Sequence, residues 1–112
     1  MNRILGELAD RCEQATGEDA TALLRLEMDI CGALGLEMKS HERPFMASLD
    51  AAITLVPEGR RRVEFGTYDG GNAWAYVLTK DGIVGESDDA PTEAAALTAA
   101  SLRTHAAKEG GE

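Results

Sequence analysis

Apolar residues recur at helical spacing in two stretches near the start of the chain. The first stretch, from about residue 2 to 15, predicts an amphipathic helix. Its apolar positions are Ile4, Leu5, Leu8, Cys12 and Ala15. The second stretch runs from Asp19, which can cap the first helical turn, to Gly35, a residue that commonly ends helices. Because only a short link separates the two, they predict a helical hairpin over residues 1–36.

Alternating apolar and polar positions predict three strands farther along the chain. The first strand runs from Arg60 to Phe65, and the second runs from Ala73 to Thr79. The second strand is apolar on both faces, which is typical of a central strand, so its aromatic residues are expected in the core. The pair Asp81-Gly82 predicts a tight hairpin turn into a short third strand that begins at Ile83. The three strands therefore predict an antiparallel meander.

Two further helices are predicted on either side of these strands. A short one begins at Ser48 and ends before Pro57, and an alanine-rich one runs from Pro91 to Ala107. The small alanine side chains allow close approach to a sheet. The predicted fold class is α+β: an N-terminal helical hairpin, a short helix, a three-stranded antiparallel sheet and a C-terminal helix packed on the sheet.

The order of these elements divides the chain into four parts. They are the helical hairpin 1–36, a polar linker 37–47, an α-β-β-β-α sandwich-like domain 48–108 and a tail 109–112 that is expected to be disordered. The pattern leaves two alternatives for the hairpin, which either packs on the sheet or forms a separate appendage.

The net charge of the chain limits the kinds of macromolecule that it can bind. The chain has 112 residues, with twenty acidic residues against eleven basic ones and a net charge of −9. This field repels nucleic acid phosphates and favours a basic partner. The one basic cluster, Arg60 to Arg62, is interpreted as charge that protects an edge strand from aggregation. No apolar window is long enough for a membrane span and the N-terminus has acids where a signal peptide needs an apolar run, so a cytoplasmic location is expected.

Residue types that commonly carry catalysis are few. Cys12 and Cys31 occupy small or apolar helical positions and are interpreted as buried hydrophobes, with no disulfide implied. His41 and His105 have no cysteine or carboxylate at a metal-ligand spacing. No glycine-rich loop follows a strand and opens a helix. We therefore expect no cofactor, no metal site and no enzymatic activity, with a hydrolase-like or nucleotide-modifying enzyme as the weaker alternative.

Acidic residues are the candidate binding surface. Two lie in the predicted hairpin turns and four lie before or at the start of the last helix. They are Asp69, Asp81, Glu86, Asp88, Asp89 and Glu93. A row of carboxylates can imitate a phosphate backbone toward an arginine-rich groove. The alternative is ordinary turn and helix-cap chemistry.

A second acidic series lies in the first predicted helix. Its members recur at helical spacing on the polar side, so they are interpreted as a solvent-exposed face. They are Glu7, Asp10, Glu13 and, just beyond the helix, Glu18.

Two segments carry a resemblance to a known family. The first is Pro44-Phe-Met-Ala-Ser-Leu-Asp-Ala-Ala-Ile-Thr-Leu-Val-Pro-Glu-Gly59, and the second is Ala90-Pro-Thr-Glu-Ala-Ala-Ala-Leu-Thr-Ala-Ala-Ser-Leu-Arg103. With Trp74 on a strand between them, they resemble the phage ABA sandwich domain, a family largely without assigned activity. The match covers roughly residues 44–107, and the arginine-rich first strand departs from the family pattern. The resemblance implies a phage origin and helices packed on a small antiparallel sheet.

Small acidic proteins of phage origin often inhibit host defence, and anti-CRISPR proteins are among them. The resemblance therefore implies a non-enzymatic phage accessory protein in the host cytoplasm. It would bind a host protein with a basic surface, such as a CRISPR effector subunit, with no direct contact to nucleic acid or membrane. The alternative is a phage assembly or regulatory module that forms a homodimer through the N-terminal helices. Fold resemblance does not name a function, so both remain expectations.

Overall fold

The computed structural model describes residues 3–14, 20–34, 52–53, 55–56 and 60–109. These residues form three helices, α1 (Arg3–Glu13), α2 (Ala20–Leu34) and α3 (Glu93–Glu109). They also form three strands, β1 (Arg60–Thr67), β2 (Ala73–Thr79) and β3 (Val84–Ala90). The α+β prediction is confirmed, because the sheet is antiparallel in the order β1-β2-β3 and α3 packs on it.

Some predicted segments lie outside the described residues. The linker 37–47 and residues 110–112 of the tail belong to this group, as does most of the short helix predicted from Ser48. Of that helix, Ala52 and Ile53 are helical, and Leu55 and Val56 follow in a turn whose N–H groups bond to the carbonyls three residues earlier. Ala52, Leu55 and Val56 are all buried.

The third strand is longer than predicted. It extends to Ala90, and the pairing of β2 with β3 shifts by one residue between Ala73 and Ala75. The extra residue of this β-bulge falls where Asp88 and Asp89 stand side by side, and both are exposed. Strict alternation would turn one of two consecutive residues toward the core, so the bulge allows Ala90 to be buried while both aspartates stay in solvent.

Helix α3 begins two residues after the predicted start. Thr92 is its N-cap: the Thr92 Oγ1 accepts a hydrogen bond from the Ala95 N–H at 3.1 Å. Pro91 therefore precedes the helix, and Asp88 and Asp89 belong to β3 instead of the helix cap. The prediction that these two aspartates open the last helix is wrong, because both residues continue β3 and Thr92 provides the N-cap of the helix.

Helix α3 is the centre of the molecule. Every residue from Ala94 to Leu102 is buried, so the helix has no solvent-exposed stripe over this length. On one side it lies against β2 and β3, and a side chain at Gly85 would collide with the Ala100 carbonyl oxygen and the Thr104 Oγ1. The absence of a side chain at Gly85 therefore permits the closest approach of helix to sheet.

Helix α1 covers the other side of α3. Its buried residues are Leu5, Leu8, Ala9 and Cys12. It packs along α3 and touches the sheet only at β3, while α2 packs on α1. The layers are therefore the sheet, then α3, then α1, and the hairpin reaches the fold mainly through α3.

The aromatic residues of β2 lie outside the core. Ala73, Ala75, Val77 and Thr79 are buried on the side of α3, whereas the alternate positions, which include Trp74 and Tyr76, are half-buried on the opposite face. The expectation that the aromatics form the core is wrong. Alanine on the helix side lets α3 approach closely, which leaves the bulky rings for the open face.

Candidate functional site

An arginine-centred cluster joins three elements. The Arg103 guanidinium of α3 donates two hydrogen bonds to the Glu13 carboxylate of α1, from Nη1 to Oε2 at 2.6 Å and from Nη2 to Oε1 at 2.7 Å. Its Nη2 also donates to Asp10 Oδ1 at 2.8 Å. This paired geometry is the strongest form of arginine–carboxylate contact. The cluster therefore fastens α1 to α3.

The same cluster reaches the sheet. Arg103 Nη1 donates to the carbonyl oxygen of Glu86 in β3 at 2.8 Å. The buried Ser87 hydroxyl donates to Glu13 Oε2 at 2.6 Å. One arginine thus holds α1, α3 and β3 together.

The charges of this cluster compensate one another. The hydrogen bonds from Arg103 are the main reason that the pKa of Glu13 is lowered, and the Ser87 hydroxyl adds to this while burial opposes it. The Glu13 carboxylate likewise raises the pKa of Arg103. Each charge of the cluster therefore has a partner of opposite sign within it.

The sequence prediction holds in part for two members of this cluster. Asp10 and Glu13 were expected on a solvent-exposed face of the first helix. The Asp10 side chain is 62% exposed, the Glu13 side chain is only 21% exposed, and both bind Arg103. The available signal was Arg103 itself, a base that follows a run of alanine, leucine, threonine and serine from Ala94 to Leu102. Such a base needs a carboxylate from another element.

The six predicted surface acids do not form one cluster. Asp69 lies in the turn between β1 and β2, and Asp81 lies in the turn between β2 and β3, so they stand at opposite ends of β2. A seven-residue strand spans about 20 Å, which separates the two turns. Glu93 is half-buried in the first turn of α3.

The remaining three acids lie together along one strand. Glu86, Asp88 and Asp89 are exposed on β3, and we call them the β3 acidic strip. No ion pair involves any of the three among the described residues. The structure therefore narrows the predicted acidic surface to these residues.

An open sheet face adjoins the strip. Trp74, Tyr76 and Leu78 run along the centre of this face on β2, and the register places Glu86 of β3 beside Tyr76. On β1, Gly66 stands opposite Trp74, and a side chain at Gly66 would come within 2.9 Å of the indole ring. The indole therefore lies over a glycine, which leaves an apolar stripe bordered by acids on the β3 side.

The described cysteines and histidine do not form a catalytic group. Burial is the main cause that raises the pKa of Cys12 to about 12, and the nearby Glu27 carboxylate adds to it. The thiol is protonated at neutral pH and is a poor nucleophile. Cys31 is also buried and forms no disulfide. His105 is half-buried, and its Nε2–H donates to the Leu55 carbonyl oxygen at 2.7 Å.

Metal-binding groups are absent from the part of the chain that the structure describes: no three His, Cys, Asp or Glu side chains there could hold an ion together. His41 lies outside the described residues. Over the same part, no helix is both long and apolar enough to cross a lipid bilayer.

A groove of about 470 Å³ lies between α1 and α2. Its apolar lining includes Ile4, which is 62% exposed, and Met28, which is 56% exposed. Arg11 and Asp29 form an ion pair across the two helices at 2.9 Å within the same lining. We call this surface the α1–α2 groove.

Comparisons with protein-family models, with curated proteins and with solved structures found no match for this chain.

Proposed function

We propose that this chain is a non-enzymatic phage accessory protein that acts in the cytoplasm of the host cell. It binds a nucleic-acid-handling defence complex, such as a CRISPR effector, and inhibits it. The surface that binds is the β3 acidic strip, and the partner surface is a basic groove that otherwise holds a nucleic acid backbone. The resemblance to the phage ABA sandwich domain supports the phage origin.

The β-bulge in β3 is the observation that carries this proposal. It turns Asp88 and Asp89 outward together, two residues from Glu86. Three exposed carboxylates that form no ion pair with a described residue can accept hydrogen bonds from arginine and lysine of a partner. Acids used only as caps or turn residues would be engaged with nearby backbone N–H groups.

The open sheet face supports the same proposal. Charged contacts alone provide speed and selectivity of encounter more than affinity, whereas buried aromatic residues commonly supply the affinity. Trp74 and Tyr76 lie half-exposed next to Glu86, so one partner can contact apolar and acidic groups together.

The test is inhibition of host defence in living bacteria. Expression of the chain in cells with an active CRISPR–Cas system should raise the plating of a targeted phage by orders of magnitude. The triple variant Glu86→Lys/Asp88→Lys/Asp89→Lys should lose this effect, because it places cations where the partner is basic. Binding to the purified effector should weaken as salt rises through the physiological range.

A single reversal at the far end of the sheet provides the control. Asp81→Lys changes charge in the β2–β3 turn, at the other end of β3 from Asp88 and Asp89, so it should keep most of the activity. If Asp81→Lys and the single variant Asp88→Lys lose equal amounts of inhibitory activity, the net charge of the protein causes the effect, and the position of the β3 acidic strip does not. No protection against any CRISPR–Cas type, with no bound effector, would refute the proposal.

A second candidate function is a phage assembly or regulatory module that pairs through the N-terminal helices. The α1–α2 groove favours it, because Ile4 and Met28 expose large apolar side chains on one surface. Exposed neighbouring apolar residues commonly mark an interaction surface.

Substitution in this groove tests the second candidate. Met28→Asp should convert an oligomer into a monomer without loss of helicity, since Met28 is largely exposed in the single chain. Light scattering measures the mass and circular dichroism measures the fold. An oligomer that survives Met28→Asp would exclude the groove as its interface.

A further inference from the structure

The two edge strands of the sheet, β1 and β3, differ in the features that prevent pairing with a further strand. Strand β3 is closed against further pairing: it contains the β-bulge, it carries consecutive exposed aspartates, and its Glu86 carbonyl is bonded to Arg103. These are devices that natural proteins use to protect edge strands. An approaching strand would find the β3 edge bent, acidic and partly occupied.

Strand β1 has a register shift only between Arg60 and Arg62, and its exposed charges from Arg62 onward, Arg62 and Glu64, are of opposite sign. Its pairing with β2 is regular from Arg62 to Thr67, and β2 is its one neighbour in the sheet within the described part of the chain. Helix α1 does not contact it, and α3 contacts it far less than it contacts β2 and β3. Phe65, on the face toward α3, is 38% exposed. This edge can therefore accept another strand.

The charges of β1 select the kind of strand that fits. Arg62 and Glu64 lie on the open face and form a loose pair within one chain, with Nε and Oε2 3.5 Å apart and both side chains exposed. In an antiparallel pair of two β1 strands with Val63 opposite Val63, Arg62 lies opposite Glu64 of the second copy, and the reverse pair forms as well. Opposite charges across strands are stabilising.

The neighbouring registers are unfavourable. If the symmetry axis moves by one residue, Arg62 lies opposite Arg62 or Glu64 lies opposite Glu64, and like charges directly opposite each other are destabilising. All these registers keep the same sheet face outward, so charge decides between them. The sequence of β1 is therefore complementary to itself in one register.

We propose that β1 is a dimerisation strand, which joins two copies of the chain into one continuous six-stranded antiparallel sheet about a two-fold axis at Val63. The second copy covers the exposed edge of Phe65 and satisfies the free backbone groups of β1. This surface is separate from the α1–α2 groove, because α1 does not reach β1. It is also separate from the β3 acidic strip, which lies on the opposite edge.

The test is the mass of the full chain in solution over a range of concentrations up to about 1 mM, where even weak association is visible. Sedimentation equilibrium should show a species of about twice 11.9 kDa. Arg62→Glu and Glu64→Arg should each weaken the dimer about 30-fold, because each converts two attractive cross-strand pairs into two repulsive ones. Met28→Asp should leave the dissociation constant of the dimer unchanged.

Mixing the variants separates the contact between copies from the contact within one chain. An equimolar mixture of Arg62→Glu and Glu64→Arg should form a heterodimer, because each charge again faces its opposite, although the pair within each chain stays broken. The double variant Arg62→Glu/Glu64→Arg should regain the homodimer. A monomer at every concentration, a dimer that neither variant weakens, or no recovery in the mixture would overturn the proposal.

Discussion

Single residues at the interface between helix and sheet carry much of the specificity of this fold. Gly85 is the clearest case, because α3 lies directly on its Cα. Ser101 is a second case: it is fully buried in α3, and its hydroxyl has no hydrogen-bond partner among the described residues. Small size, more than polarity, is therefore what these positions require.

Gly85→Ala should destabilise the protein by at least about 3 kcal/mol. The added methyl group meets the backbone carbonyl of Ala100, which cannot rotate away, so α3 must move from the sheet. Thermal and urea denaturation measure the change in the free energy of unfolding.

Gly32→Ala is the matched control for Gly85→Ala. A side chain at Gly32 meets nothing within 4 Å, and the residue lies in α2, so alanine should stabilise by up to about 1 kcal/mol. If both variants change stability alike, the close approach at Gly85 does not limit the packing.

At the scale of elements, one ion-paired cluster connects parts of the chain that are distant in sequence. Glu13 and Arg103 are far apart in the chain, yet their contact sets how α1 lies on α3. The pair is mostly shielded from water, so removal of one side chain leaves the charge of the other without its partner.

The contribution of Glu13 depends on pH. Its pKa is lowered in the folded protein, so the folded state binds fewer protons than the unfolded state in the acidic range. The stabilisation is complete above the unfolded pKa of about 4.3 and is lost as pH falls through the lower folded value. The wild type should therefore lose stability below about pH 5 more steeply than Glu13→Gln.

The measurement is the free energy of unfolding of both proteins from pH 7 to pH 2.5. At pH 7, Glu13→Gln should cost about 2 kcal/mol, the order expected for a charged hydrogen bond, and the two curves should converge in acid. Glu7→Gln is the control, because Glu7 is exposed and pairs only with Arg3 at 3.4 Å among the described residues. Parallel curves for wild type and Glu13→Gln would show that Glu13 titrates normally.

At the scale of the whole molecule, the layer order decides which surfaces are free. The sheet is covered by α3 on one face, and α3 is covered by α1. Among the described residues, no element covers the other sheet face, which carries the aromatic stripe, and none but β2 pairs with β1. In the same part of the chain, the bases Arg3, Arg11, Arg62 and Arg103 are ion-paired, whereas no ion pair involves the β3 acidic strip. The β3 acidic strip therefore concentrates three negative charges at one edge of the sheet.

Local patterns predicted the elements well. The second strand has the predicted bounds, and α1 and α2 differ from the prediction by one or two residues at their ends. These elements have strong periodicity or clear turn residues, such as Asp81-Gly82. The end of β3 and the start of α3 were wrong because Asp, Pro and Thr suit a helix cap as well as the end of a strand, and a bulge has no strong sequence signal.

The candidate site was less predictable. Sequence indicated that acids near the last helix are exposed, and Glu86, Asp88 and Asp89 are exposed. The predicted antiparallel meander already places the turns of Asp69 and Asp81 at opposite ends of the second strand, so these two acids could have been separated before the structure was known. Sequence could not separate Asp10 and Glu13 from the solvent-facing Glu7, because all three share helical spacing.

The amino-acid sequence was sufficient for the α+β class, the helical hairpin and the antiparallel meander, since periodicity and turn chemistry act over a few residues. The three-dimensional packing was needed for the burial of α3 on all sides, the Arg103 cluster and the exposure of Trp74 and Tyr76. Each of these depends on which elements meet, and alanine, arginine and aromatic residues suit several environments. Contacts between residues that are distant in the chain determine which of those environments each residue occupies.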